Sequence, residues 1–307
     1  MKKWSLIAAG VSALTLTPAA QAVTIQFDYS LDANNFFANA TARNLLETAG
    51  SVLGSRLGDS LTAITSAGFN SFDAVFNSPW NNASTTLNDY GVAADTLTVF
   101  VGGSNLLPSG VLGQGGPGGY SASGTQSFLD NVAGRGQAAA TQGAGATDFA
   151  PWGGSISFNA GSAWYFDADP TTRESFGNSL NDFYSVALHE LGHVLGFGTA
   201  DSWDHWISAG VFTGPAAAAT HGGAVTLFSD GAHWAEGTVG LADGLSQEAA
   251  MDPNLTQGTR KVFTDLDMAA LSDVGWQITP VPVPGAVWLL GSGLLVLARQ
   301  RQLSGRG

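Results

Sequence analysis

Two histidines and a glutamate lie close together in the sequence HELGH, which begins at His189. In a helix, residues four apart project from the same face, so His189 and His193 could bind one small metal ion. Glu190 follows the first histidine, where its carboxylate could reach a water molecule on that ion without binding the ion itself. The ion would lower the pKa of this water toward neutrality, and Glu190 would take its proton as it attacks a carbonyl group.

Two histidines do not complete a zinc site, so a third ligand is required. Gly196 is placed to turn the chain after the helix, but the position where a nearby histidine would be expected is Thr199, whose neutral hydroxyl is a poor zinc ligand. The candidates downstream of the helix are Asp201, His205, His221, His233 and Glu236. Spacing alone leaves the choice open, chiefly among His233, in the sequence DGAHWAEG, His205 and Asp201.

The composition limits the chemistry and the partners. The 307 residues include no cysteine, so disulfides and thiol catalysis are excluded and any zinc must be bound by His, Asp or Glu. A hydrophobic fraction of 44% predicts a folded chain despite the 41 glycines. The net charge of −13 argues against nucleic acid or an anionic membrane surface as partner.

Four aspartates near predicted strand ends, namely Asp28, Asp32, Asp167 and Asp169, carry the oxygen ligands that calcium prefers. No complete loop motif such as an EF-hand accompanies them. We therefore interpret them as solvated turn residues and do not predict a calcium site.

The HELGH sequence requires a helix, and the residues around it predict one. Ser179 and Asp182 are spaced as in a capping box and predict the start of this helix, and Gly196 predicts its end. A second amphipathic helix, capped by Thr264, is predicted to close the domain. Residues 41–64 show helical spacing, residues 23–30, 95–103 and 153–166 read as strands, and the glycine-rich residues 113–124 read as a flexible loop.

The N-terminal end of the chain has the pattern of an export signal. Residues 1–22 contain Lys2 and Lys3, an apolar run and a final Ala-Gln-Ala, so we predict a signal peptide cleaved before Val23. Residues 23–278 are predicted to form a single catalytic domain.

Residues 279–307 are predicted to be a Pro-rich linker, a short transmembrane segment and a basic tail. The apolar run Val283–Ala298 is uncharged, and Arg299 and Arg301 after it would stay in the cytoplasm. With Val281–Pro284 in front, this arrangement resembles the PEP-CTERM sorting signal of Gram-negative bacteria. The resemblance implies processing by an exosortase, after transient anchoring in the membrane, and delivery to the cell surface or the extracellular matrix.

The HELGH sequence and the motifs that follow it resemble those of the metzincin metalloproteases, in particular the leishmanolysin-like group. In that group a long insertion precedes the third histidine, a Met-containing turn follows, and a last helix ends in Asp-x-Gly-aromatic. Here the matching residues are His233-Trp234, Met251-Asp252-Pro253 and Asp273-Val274-Gly275-Trp276.

This resemblance covers roughly residues 180–276. It implies zinc bound by His189, His193 and His233, with Glu190 as general base and Met251 as a floor beneath the ion. It also implies a metzincin-like α+β or α/β fold. In such a fold a small twisted sheet packs on the active-site helix, and a more irregular C-terminal half ends in the closing helix.

The expected function is that of an exported zinc-dependent endopeptidase. Its peptide substrate would lie extended along an edge strand, offered by the TLTVFVGG or GGSISF segment. Two alternatives remain at this point: a catalytically inactive surface or biofilm-matrix protein that keeps the protease fold, and a zinc amidase that acts on cell-wall or matrix material. The sequence does not determine the oligomeric state.

Overall fold

The computed structural model describes residues 22–172 and 176–279, which form an α+β protein. A short 3-10 helix at Phe36–Ala38 precedes the first α-helix. The α-helices are α1 (Ala40–Gly54), α2 (Gln126–Gly134), α3 (Phe183–Val194), α4 (Asp201–Asp204), α5 (Pro215–His221) and α6 (Asp265–Val274). The strands are β1 (Thr24–Asp28), β2 (Ser71–Asn77), β3 (Ser84–Leu87), β4 (Thr96–Ser104), β5 (Gly113–Pro117), β6 (Gly119–Ser123), β7 (Gly153–Asn159), β8 (Trp164–Tyr165), β9 (Asn181–Asp182), β10 (Ile207–Ser208), β11 (Val211–Phe212), β12 (Val225–Thr226), β13 (Val239–Ala242) and β14 (Leu245–Glu248).

A four-stranded sheet with the order β1-β4-β7-β5 is the framework of the N-terminal half. β1, β4 and β7 are parallel, and β5 is antiparallel to β7. The predicted strands at 23–30 and 95–103 are confirmed as β1 and β4, and residues 153–166 contain two strands, β7 and β8, which lie in different sheets. The expectation that β4 or β7 offers a free edge is wrong, because each of them pairs with a strand on both sides.

The glycine-rich residues 113–124 were predicted to be a loop, and this prediction is wrong. They form β5, which pairs with β7, and β6, which pairs with β2. Strand patterns are read from alternating side chains, and a run of glycines carries no such pattern. Here the backbone hydrogen bonds to neighbouring strands define the structure, and β5 becomes an edge of the main sheet.

Helices α1 and α3 pack against each other and against this sheet, α1 beside β1 and α3 beside β5 and β7. The helix predicted for residues 41–64 ends earlier, at Gly54. Beyond it, Leu57 pairs with Ile278, and the N–H of Gly58 donates to the carbonyl of Gln277. These long-range contacts with the end of the domain keep the chain extended there, against its helical spacing.

A second layer covers another part of the framework. The three-stranded sheet β3-β2-β6 and helix α2 enclose an apolar cluster that includes Phe72, Phe76, Phe100 and Trp152. The rings of Phe76 and Phe100 are stacked with centroids 4.3 Å apart, which joins β2 to β4.

The C-terminal half consists mainly of loops, short strand pairs and the helices α4, α5 and α6. Its buried aromatic residues, among them Trp203 and Trp234, belong to the same hydrophobic core as the sheet and α3. The predicted closing helix is confirmed as α6, with Thr264 as its N-cap and Asp267 completing a capping box. Leu266, Ala270 and Val274 of this helix are buried.

The predicted signal peptide and C-terminal sorting segment lie outside the described residues, apart from residues 22 and 279. The prediction of a transmembrane helix is corrected here. In residues 22–172 and 176–279, none of the helices combines the length and the apolar character needed to cross a membrane. The apolar run on which that prediction depended is itself outside these ranges.

Candidate metal centre

Helix α3 carries the first two histidines, and its ends are set by specific residues. The helix begins at Phe183, three residues after the predicted start, because residues 181–182 pair with β8 as strand β9. Asp182 is its N-cap, and its side chain accepts a hydrogen bond from the N–H of Ser185. Gly196 ends the helical turn with φ +97°, as the sequence predicted.

His189, His193 and His233 converge on one point. The Nε2 atoms of His189 and His193 are 3.2 Å apart, those of His189 and His233 are 3.2 Å apart, and those of His193 and His233 are 3.0 Å apart. Three nitrogens at about 2.0–2.1 Å from one zinc ion in tetrahedral arrangement would be about 3.3 Å apart. The three Nε2 atoms therefore fit a zinc ion, which these three histidines would hold.

The opposite nitrogen of each ring already has a hydrogen-bond acceptor. Nδ1 of His189 is 2.8 Å from the carbonyl oxygen of Ala250, and Nδ1 of His193 is 2.8 Å from that of Phe197. Nδ1 of His233 is 2.8 Å from Oδ2 of Asp230. A proton on each Nδ1 leaves each Nε2 as an acceptor only, and such lone pairs repel one another at these distances unless a cation lies between them.

The electrostatic surroundings keep the two α3 histidines neutral at pH 7, which is the form that binds metal. Burial lowers the pKa of His193 to about 4, and the neighbouring ring of His233 adds to the shift. Burial also places the pKa of His189 well below its ordinary value, with His193 and His233 as further causes.

The third histidine reaches this point on a loop between β12 and β13. A bridge between Leu227 and Trp234 closes the loop, and the N–H of Phe228 donates to the carbonyl of His233. The indole N–H of Trp203, on α4, donates to the carbonyl of Gly231 at 2.9 Å. The loop is thus held from α4 as well as from its own two ends.

Gly198 provides the space that this loop needs. Its φ of +70° is a left-handed conformation, and a side chain at this position would meet the carbonyl oxygen of Ala232 at 2.2 Å. Ala232 immediately precedes His233. The glycine after the helix end therefore lets the third histidine approach α3.

The other residues considered as third ligand lie elsewhere. Asp201 accepts a hydrogen bond from the N–H of Gly143, and Nδ1 of His205 lies 3.4 Å from the carbonyl of Ala144. His221 is exposed at the end of α5, and Glu236 contacts the side chain of Asn254. Thr199 lines the same cleft as the histidines, but its hydroxyl donates to the carbonyl of His193.

Glu190 lies beside β5 at the metal centre and is buried. Burial raises the pKa of Glu190 to about 8, and a hydrogen bond from the N–H of Gly115 opposes this rise. A divalent cation at the three histidines would also favour the ionised carboxylate. Glycine is required on β5, since a side chain at Gly113 would meet Oε1 of Glu190 at 2.6 Å and one at Gly115 its backbone oxygen at 2.5 Å.

Met251 is fully buried against α3. A side chain at Gly192, between the two α3 histidines, would meet the sulfur of Met251 at 2.5 Å. The carbonyl of Met251 accepts a hydrogen bond from the N–H of Trp234, the residue after the third histidine. The methionine turn and the third-histidine loop are therefore directly joined.

Asp267 connects these two segments and was missed in the sequence analysis. Its carboxylate accepts hydrogen bonds from the indole N–H of Trp234, from the N–H groups of Ala250 and Met251, and from both the N–H and the hydroxyl of Thr264. Burial raises the pKa of Asp267 and these donors oppose the rise. The only sequence signal was its place three residues after Thr264, which indicated a helix cap and nothing more.

A cleft of about 910 Å³ opens over the metal centre. β5 and the loop before it form one wall, and residues 252–257 with Lys261 form the other. The Glu236, Glu248 and Asp252 carboxylates lie close enough together to hold a cation. The ammonium of Lys261 already lies 2.7 Å from Glu248 and 3.2 Å from Asp252, so these two carboxylates form salt bridges that stabilise the cleft wall.

A second buried cation attaches the same wall to the start of α3. The guanidinium of Arg260 binds Asp182 through two nitrogens, at 2.9 and 2.8 Å, and lies 2.7 Å from Asp167. The interpretation of Asp167 as a solvated turn residue is therefore wrong: it is 3% exposed and neutralised by Arg260. Asp32 also has structural partners, since it accepts from the N–H groups of Phe37 and Gly103.

Comparisons with protein-family models, with curated proteins and with solved structures found no match to this chain. The case for a function therefore rests on the motifs in the sequence and on the geometry of the described residues.

Proposed function

We propose that this protein is an exported zinc-dependent endopeptidase with a metzincin-like catalytic domain. The observation that supports this most directly is the convergence of the three Nε2 atoms of His189, His193 and His233 at 3.0–3.2 Å. Glu190 and an open cleft lie beside them. A histidine cluster needed only for stability would not require this combination.

Zinc bound by the three histidines would act as a Lewis acid toward the scissile carbonyl and make water more acidic. Glu190 takes the proton from the attacking water as the new C–O bond forms. It then gives this proton to the amide nitrogen as the C–N bond breaks, so that the carboxylate is regenerated. Burial raises the pKa of Glu190, and a cation at the three histidines would oppose that rise, so the carboxylate would be ionised and able to accept the proton.

The substrate would lie extended along β5. This strand is an edge of the main sheet and also lines the cleft beside Glu190, so a peptide could pair with its outer edge. The salt bridges of Lys261 and Arg260 stabilise the other wall. A peptide held between these walls places one of its carbonyl groups next to the metal centre.

The Glu190→Gln variant tests the proposal directly. We expect the purified residues 23–279 to contain close to one zinc per chain and to cleave an unstructured protein substrate. Glu190→Gln should keep the zinc and lose about 10²–10⁴-fold in kcat/KM, because general acid–base catalysis contributes this much. Unchanged hydrolysis in the variant, or activity that is insensitive to a chelator, would contradict the proposal.

The same experiment separates the two alternatives. An inactive matrix protein would show no hydrolysis of any substrate, whereas a zinc amidase would cleave cell-wall or matrix amides and spare peptides. The retention of Glu190 beside three converging histidines is our reason for preferring the peptidase.

Export is part of the proposal and has its own test. A signal peptide at residues 1–22 and a PEP-CTERM-type signal after residue 279 would deliver the enzyme to the surface or matrix of a Gram-negative bacterium, with an exosortase as processing partner. Deletion of residues 280–307 should leave zinc content and hydrolysis intact and should change only the location of the protein in a fractionated culture.

A further inference from the structure

The three rings of the metal centre differ in what lies behind them. Neutral main-chain carbonyls accept hydrogen bonds from the two α3 histidines. Behind His233 lies the carboxylate of Asp230, with Oδ2 at 2.8 Å from Nδ1. The third ring is therefore the one of the three that is backed by a full negative charge.

The other oxygen of Asp230 binds the backbone of the same loop. Oδ1 accepts a hydrogen bond from the N–H of Ala232 at 2.9 Å. One carboxylate thus fixes the turn that leads to His233 and the orientation of its ring. Because a carboxylate only accepts hydrogen bonds, it requires the proton of His233 to be on Nδ1.

Other contacts of the loop act on its backbone and not on the ring. Trp203 binds the carbonyl of Gly231, and Gly198 lies against Ala232. The loop can therefore keep its path without Asp230, while the ring would lose the acceptor that selects its tautomer. The Asp230 side chain is 43% exposed, so a neutral replacement would not bury an unpaired group.

We propose that Asp230 is a positioning residue that acts through His233 to hold the divalent metal. It keeps the Nε2 lone pair of His233 directed at the other two histidines and makes the ring a stronger ligand. This inference rests on the metal centre of the proposed function, and it does not depend on which bond the enzyme hydrolyses.

The test compares Asp230→Asn with Asp204→Asn, a neutral replacement of an exposed aspartate on α4. Zinc affinity is measured by competition with a chromophoric chelator. We expect Asp230→Asn to raise the Kd for zinc by roughly 10–100-fold, which is the usual effect of losing such a partner. Asp204→Asn should leave the Kd unchanged.

Two further measurements on metal-free protein distinguish positioning from a structural role. Long-range ¹⁵N NMR should show His233 protonated at Nδ1 in the unaltered protein and a mixture of tautomers in Asp230→Asn. The thermal midpoint of the metal-free variant should stay close to that of the unaltered protein, since the loop is held by its backbone contacts.

An unchanged zinc Kd in Asp230→Asn, with normal zinc binding by the unaltered protein, would overturn the inference and leave the proposed function standing. A fall in the metal-free midpoint that accounts for the weaker binding would also overturn it. If the unaltered protein binds no zinc, the metal centre and this inference fail together.

Discussion

Helix α3 and the loop that carries His233 bring histidines to the same point by different means. On α3, helical spacing alone places His189 and His193 on one face, and the cap at Asp182 sets where the helix begins. The loop has no regular structure of its own around His233. Its position depends on Trp203, on the space left by Gly198 and on the connection through Trp234 to the methionine turn.

The difference shows where the site is robust and where it is vulnerable. The helical part needs few supporting residues, because the backbone hydrogen bonds of the helix hold it. The loop needs several buried polar contacts, and the loss of one of them leaves unpaired donors in the core. Substitutions of the residues that support the loop should therefore weaken metal binding more than comparable substitutions on the surface of α3.

Removal of a ligand from either region should have the largest effect. We expect His193→Ala and His233→Ala both to lose stoichiometric zinc, since two histidines do not form a tight zinc site. His205→Ala is the matched control and should retain the metal. Zinc content by atomic emission measures all three, and a His233→Ala protein that keeps its zinc would mean that the loop is not part of the centre.

Asp267 tests the support of the loop. Asp267→Ala leaves the indole N–H of Trp234 and backbone N–H groups of the methionine turn without their acceptor, and we expect a loss of about 3–5 kcal/mol in the free energy of unfolding. Ser272→Ala, at an exposed position on α6, should change it by no more than about 0.5 kcal/mol. Urea denaturation gives both values, and similar losses in the two variants would show that Asp267 does not stabilise the loop.

β5 tests the support of the helical part. Gly115→Ala would force the strand and α3 apart at Glu190, and we expect kcat/KM to fall by roughly 10²-fold with zinc content unchanged, because small displacements of a catalytic group are costly. Gly116→Ala, the next residue of the same strand, would meet no atom within 4 Å and should have nearly normal activity. Equal activities of the two variants in a peptidase assay would show that the close approach of β5 to Glu190 is not needed.

The last test concerns the junction of the two regions. Gly198 and Gly210 both have positive φ, at +70° and +77°, but a side chain meets Ala232 at the first position and no atom within 4 Å at the second. Both alanine variants should lose about 1–2 kcal/mol for the backbone conformation. Gly198→Ala should lose about 1–3 kcal/mol more from overpacking and should also bind zinc less tightly. Thermal unfolding with and without zinc separates these contributions.

Several predictions from the sequence failed for a shared physical reason. Residues 57–64 have helical spacing, but hydrogen bonds to residues 277–279 keep the start of this segment extended. Residues 113–117 have no pattern, yet pairing with β7 makes them the edge strand of the site. The assignment of Asp167 to a solvated turn failed because its partner, Arg260, is distant in the sequence. Each failure involves a long-range contact, which local spacing cannot encode.

The sequence alone determined the helix with its two histidines and glutamate, the glycine that ends it, the capped closing helix and the absence of thiol ligands. These features depend on residues a few positions apart, and helix geometry relates them directly. Only the tertiary structure brought His233 to the other two histidines, placed Asp230 and Asp267 behind the site, and made β5 a wall of the cleft. These residues meet through packing and hydrogen bonds between distant segments, so their proximity exists only once the core has formed.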